Sequence, residues 1–469
     1  MMRNIGFLIL FFLISTHSHF LHHSEEEQEA FSSFQELHQT QEWFSDQLVD
    51  HLSPLNNLTF RQRYWIMDDF YDHDKGPAIL LICGEYTCQG VRSDRQFPAV
   101  LAKEFKGIIF VLEHRFYGES QPFGVDSWSI DNLRYLNVEQ ALNDLAYFSL
   151  FCIQNAKGGI KTTTPWISIG GSYPGALSAW YRAKFPHLSI GSLASSAVVN
   201  SILNFIDFDR QVRISALKSG PECPEAIINI TKYAEDQLAD PGKAQEFKEQ
   251  FIDAGKLTNQ EFLFYLADIF VLMVQYGKRT MLCDMMKGKT LAEQFTAIKD
   301  YANKNNRPYE YGTYYLKNQT VDYNKNYRQW YYQCCSEVGW LQTADYNDTP
   351  AMRSKQVSIE FFQQWCADAY GPWIWPNTNN TNSKYGGLNI QSHNLIFTNG
   401  CEDPWKRSSI LKNRTTLLAF EIDCDDCGHC IDLHTPNATD PLSLNSTRQA
   451  IQDNMQKWLN SYYSLITDS

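Results

Sequence analysis

The sequence predicts an α/β fold in which a parallel sheet is flanked by helices. Short apolar runs at 77–83, 107–113 and 165–170 have the length and composition of buried strands. Between the second and third runs, apolar residues recur at helical spacing from 138 to 152. Strands that alternate with helix-length segments in this way are typical of a parallel sheet with helices on its faces.

The next elements continue the alternation. The segment from Pro174 to Phe185 has a helical pattern that Pro186 should stop, and 188–199 contains a further strand and its exit. From about 204 to 385 the pattern changes to longer, charged, helix-like segments and then to aromatic, Asn-rich loops. Strand signals return at 393–400 and 416–423. We therefore predict one sheet domain, formed by 44–203 and 386–469, which is interrupted by a mainly helical insertion at 204–385.

The N-terminus predicts a secreted protein. Arg3 precedes an apolar run from Ile5 to Ile14, and the chain then turns polar, which is the layout of a signal peptide over residues 1–20. The longest later apolar segment, 262–274, is interrupted by Asp268 and favours a buried helix over a membrane span. We expect the mature protein to leave the membrane and to reach either the outside of the cell or a lysosome-like or vacuole-like compartment.

Other features of the composition fit that route. The twelve cysteines should mostly form disulfides in an oxidising compartment, although their pairing stays open. With 40 basic and 53 acidic residues, the net charge of −13 argues against nucleic acid or an anionic membrane as the main partner. The oligomeric state is also open, and a homodimer is one option. Eight sequons are candidate glycosylation sites: Asn57, Asn229, Asn318, Asn347, Asn379, Asn413, Asn437 and Asn445.

Ser172 is the candidate nucleophile. It stands between a predicted strand and a predicted helix, and the small residues Gly170, Gly171 and Gly175 would let the two elements approach closely. The alternative is an ordinary Gly-rich turn whose serine caps the helix. Pro174 occupies a position where such a turn usually has glycine, and proline disfavours helical dihedrals in the residue before it. We therefore expect the helix to begin at Pro174 rather than at Tyr173.

Asp403 and His429 are the candidate partners of this serine. Each follows one of the last two predicted strands, in the chain order serine, acid, histidine that a hydrolase triad on this fold uses. Asp403 could instead be a turn former before a proline, and His429 could bind a metal with nearby cysteines. The rival acids are Asp423, Asp425 and Asp426, and the rival metal ligands are Cys424, Cys427 and Cys430.

Four segments in the same order resemble the S28 serine peptidases, a family that includes prolyl carboxypeptidase and dipeptidyl peptidase II. They are EHRFYGES (113–120), GGSYPGALSAWYRAKFPHL (170–188), TNGCEDPW (398–405) and GHCIDLHTP (428–436). The resemblance implies an α/β-hydrolase fold with a helical insertion over the active site and a triad of Ser172, Asp403 and His429. Cys430 stands where two family members have a second histidine, which is more similar to the thymus-specific serine protease branch.

The resemblance also implies a chemistry. It predicts an exopeptidase that cleaves short peptides near proline through an acyl-enzyme, without metal or other cofactor, as either a dipeptidyl peptidase or a prolyl carboxypeptidase. The backbone N–H groups of Tyr173 and Glu85 would form the oxyanion hole. The Glu85 carboxylate is a candidate for binding a free amine, which favours the dipeptidyl type. A lipase or esterase, or a non-catalytic glycoprotein with a Cys/His metal site, are the alternative functions.

Two further clusters allow a structural and a functional interpretation. Residues 113–115, Glu-His-Arg, precede the serine in the chain, and we interpret them as a structural cluster that lines the site. Tyr and Trp are dense at 326–340, where they would either pack the core of the insertion or form an aromatic wall for a proline ring.

Overall fold

An eight-stranded, mostly parallel sheet forms the centre of the molecule. The computed structural model describes residues 37–467, so the predicted signal peptide lies outside the described residues. The strand order is β1-β2-β4-β3-β5-β6-β9-β10; β2 runs antiparallel to both β1 and β4, and all the other neighbours are parallel. The strands are β1 Thr40–Leu48, β2 Thr59–Met67, β3 Ala78–Ile82, β4 Ile108–Leu112, β5 Trp166–Gly171, β6 Gly191–Ser195, β9 Leu395–Gly400 and β10 Leu417–Ile422. The predicted α/β-hydrolase fold is confirmed.

Helices cover both faces of the sheet because apolar side chains point to both sides of each central strand. Ile79 and Ile109 belong to the core under the helices at 97–105 and 442–467, whereas their neighbours Leu80 and Phe110 belong to the core on the other face. The helices that flank the sheet are α1 Phe97–Phe105, α2 Ile130–Leu133, α3 Val138–Gln154, α4 Tyr173–Lys184 and, at the end of the chain, α15 Leu442–Thr467.

Ten helices lie between β6 and β9 in the chain. They are α5 Ile206–Leu217, α6 Glu222–Ala239, α7 Ala244–Glu249, α8 Asn259–Gln275, α9 Arg279–Met286, α10 Leu291–Asn305, α11 Thr313–Leu316, α12 Tyr327–Gln333, α13 Ile359–Tyr370 and α14 Thr378–Tyr385. Two short strands, β7 Ile202–Asn204 and β8 Gly339–Leu341, pair with each other at the edge of this helical segment. One apolar core runs from the sheet into the helices, so the division into two domains at 203/204 and 385/386 stays a prediction.

The predicted buried helix at 262–274 is confirmed as the central part of α8. A capping box starts it, since Thr258 and Glu261 each accept a hydrogen bond from the other's backbone. Most of its residues are buried against neighbouring helices. Across residues 37–467, none of the helices has both the length and the apolar composition that a membrane crossing requires.

The cysteines are mostly paired, as expected. Residues 37–467 include all twelve of them, and eight form the disulfides Cys83–Cys88, Cys223–Cys283, Cys335–Cys366 and Cys424–Cys427. The four free cysteines are Cys152, Cys334, Cys401 and Cys430. All eight sequon asparagines are exposed, which a glycan acceptor requires, and their modification stays a prediction.

Candidate active site

Ser172 occupies the sharp turn between β5 and α4. Its backbone has φ 66° and ψ −128°, in the positive-φ region that non-glycine residues rarely adopt, and its N–H donates to the carbonyl of Ser195 at 2.8 Å. The glycines around it are required sterically. A Cβ on Gly170 would lie 2.1 Å from the carbonyl oxygen of Pro174, and a Cβ on Gly175 would lie 2.6 Å from that of Ser195. Strand and helix therefore cross as closely as the sequence predicts, and the serine is held in strained backbone at the carboxyl edge of the sheet.

Helix α4 begins at Tyr173, so the prediction that it begins at Pro174 is wrong. Pro174 is the second helical residue, where its missing N–H would have no partner within the helix. Ala176 then donates to the carbonyl of Ser172 at 3.0 Å and starts the helical ladder. The proline ring packs on the loop after β3, because a Cβ on Gly84 would lie 2.3 Å from Pro174 Cγ. This tertiary contact outweighs the local preference of a residue before proline.

Asp403 and His429 form a buried hydrogen-bonded pair. Nδ1 of His429 lies 2.7 Å from Oδ2 of Asp403, and the two residues are 4% and 0% exposed. Oδ1 of Asp403 accepts the N–H of Trp405 at 2.9 Å, so the residue also caps the 3₁₀ turn Pro404–Ser408. The turn-forming role and the contact with histidine thus coexist.

The electrostatics around His429 favour its protonated form. Burial lowers the pKa of the imidazole, but the charge of Asp403 and the neighbouring Cys430 thiol raise it well above the ordinary value. Nε2 of His429 is buried and has no hydrogen-bond partner among residues 37–467. The ring therefore presents one nitrogen to the carboxylate and leaves the other free for a substrate or a nucleophile.

The rival acids have other partners. Asp425 binds Arg279 at 2.8 Å, Asp426 accepts the N–H of Thr280 at 3.0 Å, and Asp423 is exposed. Cys424 and Cys427 form a disulfide with each other, which removes two of the rival metal ligands. Within the described part of the chain, no three His, Cys, Asp or Glu side chains are arranged to hold a metal ion.

The junction between α8 and α9 supports the loops of both candidate residues, and the sequence gave no signal for it. The carbonyl of Gln275 accepts the N–H of His429 at 2.6 Å, and Oε1 of Gln275 accepts the indole N–H of Trp405 at 2.9 Å. Arg279 donates to both carboxylate oxygens of Glu402, at 3.1 and 2.9 Å. The acid loop and the histidine loop therefore rest on the same turn of the helical segment.

A second buried carboxylate fixes the histidine loop from below. Asp432 accepts hydrogen bonds from Ser195 Oγ at 2.5 Å and from Thr398 Oγ1 at 2.8 Å, at the ends of β6 and β9. Cys430 donates its N–H to Ser196 Oγ at 2.8 Å. The aspartate of the H-C-x-D segment thus has a structural partner set that the sequence motif alone did not reveal.

The candidate oxyanion groups lie on either side of the Gly84–Pro174 contact. Tyr173 is the first residue of α4, so the helix leaves its N–H without a partner. Its hydroxyl accepts from Gln333 Nε2 at 3.0 Å and lies 3.1 Å from His114 Nε2. Glu85 is half-buried; burial raises the pKa of its carboxyl although His429 and Arg95 act to lower it. Its Oε2 is buried and has no hydrogen-bond partner among the described residues.

Residues 113–115 have the structural partners expected of a supporting cluster. Glu113 binds Arg63 at 2.6 Å, and Arg115 binds both oxygens of Asp144. Burial lowers the pKa of His114 to about 4, so its ring is neutral near pH 7. The cluster holds the hydroxyl of Tyr173 from behind, through His114.

Aromatic rings form an arc from Tyr173 to His429, and we call it the aromatic arc. Ring centroids lie 6.0 Å apart from Tyr173 to Trp330 and 6.0 Å from Trp330 to Trp340. The arc continues to Trp405 at 6.1 Å and from there to His429 at 6.3 Å. Two of its rings come from the aromatic-dense segment at 326–340, so this segment contributes to the surroundings of the site.

Comparison with known proteins identifies relatives along almost the whole chain. Residues 47–451 match the family described as serine carboxypeptidase S28. The chain is 34% identical over 480 residues to "Probable serine protease EDA2" of Arabidopsis thaliana, which covers 97% of this chain and 96% of that protein. It is 29% identical over 457 residues to "Lysosomal Pro-X carboxypeptidase" of Homo sapiens, covering 90% of this chain and 88% of that protein. It is also 29% identical over 465 residues to "Thymus-specific serine protease" of Homo sapiens, covering 88% and 86%. These last two identities are equal, so they do not separate the branches.

Proposed function

The chain belongs to the serine carboxypeptidase S28 family and is a serine-type peptidase, and we propose that it is an exopeptidase that cleaves short peptides near proline. We propose Ser172 as its nucleophile, His429 as its general base and Asp403 as the acid that orients the histidine. The observation that carries this proposal is the buried 2.7 Å contact between His429 and Asp403, which leaves Nε2 unpartnered.

The proposed reaction follows from these roles. Nε2 of His429 takes the proton of Ser172 Oγ as the oxygen attacks the peptide carbonyl, and then gives that proton to the leaving amine. Water, activated by the same nitrogen, hydrolyses the acyl-enzyme and releases the serine. Asp403 fixes the imidazole tautomer and stabilises the imidazolium that forms in each step. The N–H groups of Tyr173 and Glu85 would bind the oxyanion.

The aromatic arc supports a preference for proline. A pyrrolidine ring is apolar and compact, and aromatic faces are a favourable surface for such a ring. The arc begins at Tyr173, next to Ser172, and ends at His429, so it borders the place where the acyl residue of a substrate would sit. One relative carries the name Pro-X carboxypeptidase, which agrees with this preference.

We further propose that the protein acts outside the cell or in a lysosome-like compartment. The predicted signal peptide, the exposed sequons and the disulfides support a secretory route. A relative described as lysosomal supports the second location.

Digestion of a short-peptide library, read by mass spectrometry, tests the proposal. We expect the wild type to remove terminal residues next to proline and to be labelled by a fluorophosphonate. Ser172→Ala should lose both activities, whereas Ser93→Ala, at an exposed serine of the loop after β3, should keep both. Turnover of p-nitrophenyl esters without turnover of peptides would favour an esterase. Stoichiometric metal without labelling would favour a non-catalytic protein.

A further inference from the structure

Arg95 is a half-buried arginine beside the proposed site, and its side chain has no partner. Among residues 37–467, its guanidinium makes neither a hydrogen bond nor an ion pair, whereas the fully buried Arg115, Arg328 and Arg353 all donate to oxygen atoms. A guanidinium has five N–H donors, and leaving it partly desolvated without acceptors is unfavourable. Such a group is a candidate for binding an anion that the protein does not itself supply.

The backbone around Arg95 is tied to the histidine loop. Thr435, six residues after His429, donates its N–H to the carbonyl of Asp94 at 3.1 Å and its hydroxyl to the carbonyl of Ser93 at 2.6 Å. The hydroxyl of Thr435 also accepts the N–H of Gln96 at 3.2 Å. Three hydrogen bonds therefore fix the segment that carries Arg95 to the loop that carries His429.

The charges that act on Arg95 place its head group near the catalytic histidine. Burial lowers the pKa of the guanidinium, but Cys430 and Tyr276 lead the groups that raise it above its ordinary value. Cys430 adjoins His429 in the chain, and the ring of Tyr276 meets the His429 ring edge-on, with centroids 6.2 Å apart. The nearest acid in sequence, Asp94, is already neutralised by Arg92 through two hydrogen bonds of 2.8 and 2.6 Å.

We propose that Arg95 binds the free α-carboxylate of the residue that leaves from the C-terminus of a peptide. The leaving amine receives its proton from His429, so the leaving residue sits on the histidine side of the scissile bond. One residue spans about 3.3–3.6 Å, and the carboxylate of a single leaving residue therefore lies next to that side. Arginine presents its donors in a fork that matches a carboxylate.

Glu85 is the competing candidate, since it would pair with a free amine instead. Its carboxyl lies on the loop of the proposed oxyanion donors, next to the scissile carbonyl, whereas the amine of a departing dipeptide would lie a further residue away from that carbonyl. The placement of Arg95 therefore favours the carboxypeptidase type over the dipeptidyl type. This inference rests on the proposed serine exopeptidase.

Matched substrates test it. One is an N-blocked Xaa-Pro-Phe peptide with a free carboxylate, the second is the same peptide with a C-terminal amide, and the third is a Gly-Pro arylamide with a free amine. We expect the wild type to prefer the acid over the amide. Arg95→Gln should lower kcat/KM for the acid about 10- to 100-fold, the loss expected of a charge-assisted hydrogen bond, and leave the amide unchanged. Arg95→Lys should restore part of the preference, and Arg61→Gln, at an exposed arginine over Trp43, should behave as wild type.

The outcomes separate the two proposals. If Arg95→Gln lowers turnover of the acid and the amide equally, or if the wild type cleaves only the substrate with a free amine, the role of Arg95 is wrong while the exopeptidase stands. If the wild type cleaves none of the three and a fluorophosphonate does not label Ser172, the proposed exopeptidase itself fails. Labelling of Ser172 in Arg95→Gln at the wild-type rate would show that the substitution leaves the proposed nucleophile intact.

Discussion

Replacing Arg279 by methionine should damage both the stability and the activity of this protein. Arg279 is 4% exposed and donates to both oxygens of Glu402, which is 0% exposed. Glu402 in turn accepts the backbone N–H of Asp426 at 3.1 Å. Glu402 immediately precedes Asp403, and Asp426 lies three residues before His429. The guanidinium therefore neutralises the one carboxylate that joins the two loops.

The size of the effect follows from what remains after the substitution. Breaking a buried ion pair by removing one partner costs about 3–5 kcal/mol, because the other charge stays buried. Lys218 would still lie 2.8 Å from Glu402, but its side chain is 34% exposed and screened by solvent. We therefore expect the free energy of unfolding to fall by about 3 kcal/mol, the lower end of that range. A displacement of about 1 Å between the two loops would lower kcat/KM about 10²-fold.

Urea unfolding and peptide kinetics measure the two effects on the same preparations. Arg279→Lys keeps the charge but loses the two-pronged contact, so it should fall between the wild type and Arg279→Met. Arg210→Met is the matched control, because Arg210 pairs at the surface with Asp207 and Asp348 and should contribute less than 1 kcal/mol. If Arg279→Met matches Arg210→Met in both unfolding and kcat/KM, the buried network does not support the site and the reasoning fails.

Two further predictions concern proton equilibria. Asp403→Asn should lower kcat about 10⁴-fold, and because the Asp403 charge raises the pKa of His429, the acidic limb of the pH–rate profile should move to lower pH; an unmoved limb would contradict the proposed pair. Burial raises the pKa of Glu337 to about 7 from an ordinary 4.5, although its contact with the N–H of Val138 acts to lower it. The stability from this proton is fully present below about pH 4.5 and lost as pH rises through about 7, so wild-type unfolding should weaken by about 3 kcal/mol over that window, whereas Glu337→Gln should show a flatter profile in urea titrations at pH 5 and pH 8.

The elements that the sequence predicted well are those with a local signal. Each central strand is a short apolar run, and the observed bounds of β3, β4 and β10 differ from the predicted ones by one residue at each end. The strand–turn–helix around Ser172 could be predicted because only glycine fits at Gly170 and Gly175. The contact between Asp403 and His429 agrees with the predicted chain order because both residues follow neighbouring parallel strands, whose carboxyl ends meet at one edge.

The parts that were missed depend on contacts between distant residues. Gln275 lies more than 100 residues before His429 in the chain, and neither residue type nor spacing announces that its carbonyl accepts the histidine N–H. The start of α4 was wrong for a similar reason. Local sequence rules weigh Pro174 against Tyr173, whereas the packing of the proline ring on Gly84 decides the outcome. Patterns within one segment carry no information on either contact.

The helical segment is part of the frame of the proposed site and not merely a cover over it. Gln275 and Arg279 hold the two loops of the sheet edge, and Gln333 holds the hydroxyl of Tyr173 on the opposite side of Ser172. A rigid-body opening of the whole segment would break all of these hydrogen bonds at once and separate His429 from its support. Substrate access must therefore use movements that leave the α8–α9 junction in place. The strain of the Ser172 turn and the alignment of His429 with Asp403 would then be present before a peptide binds, as a preorganised site requires.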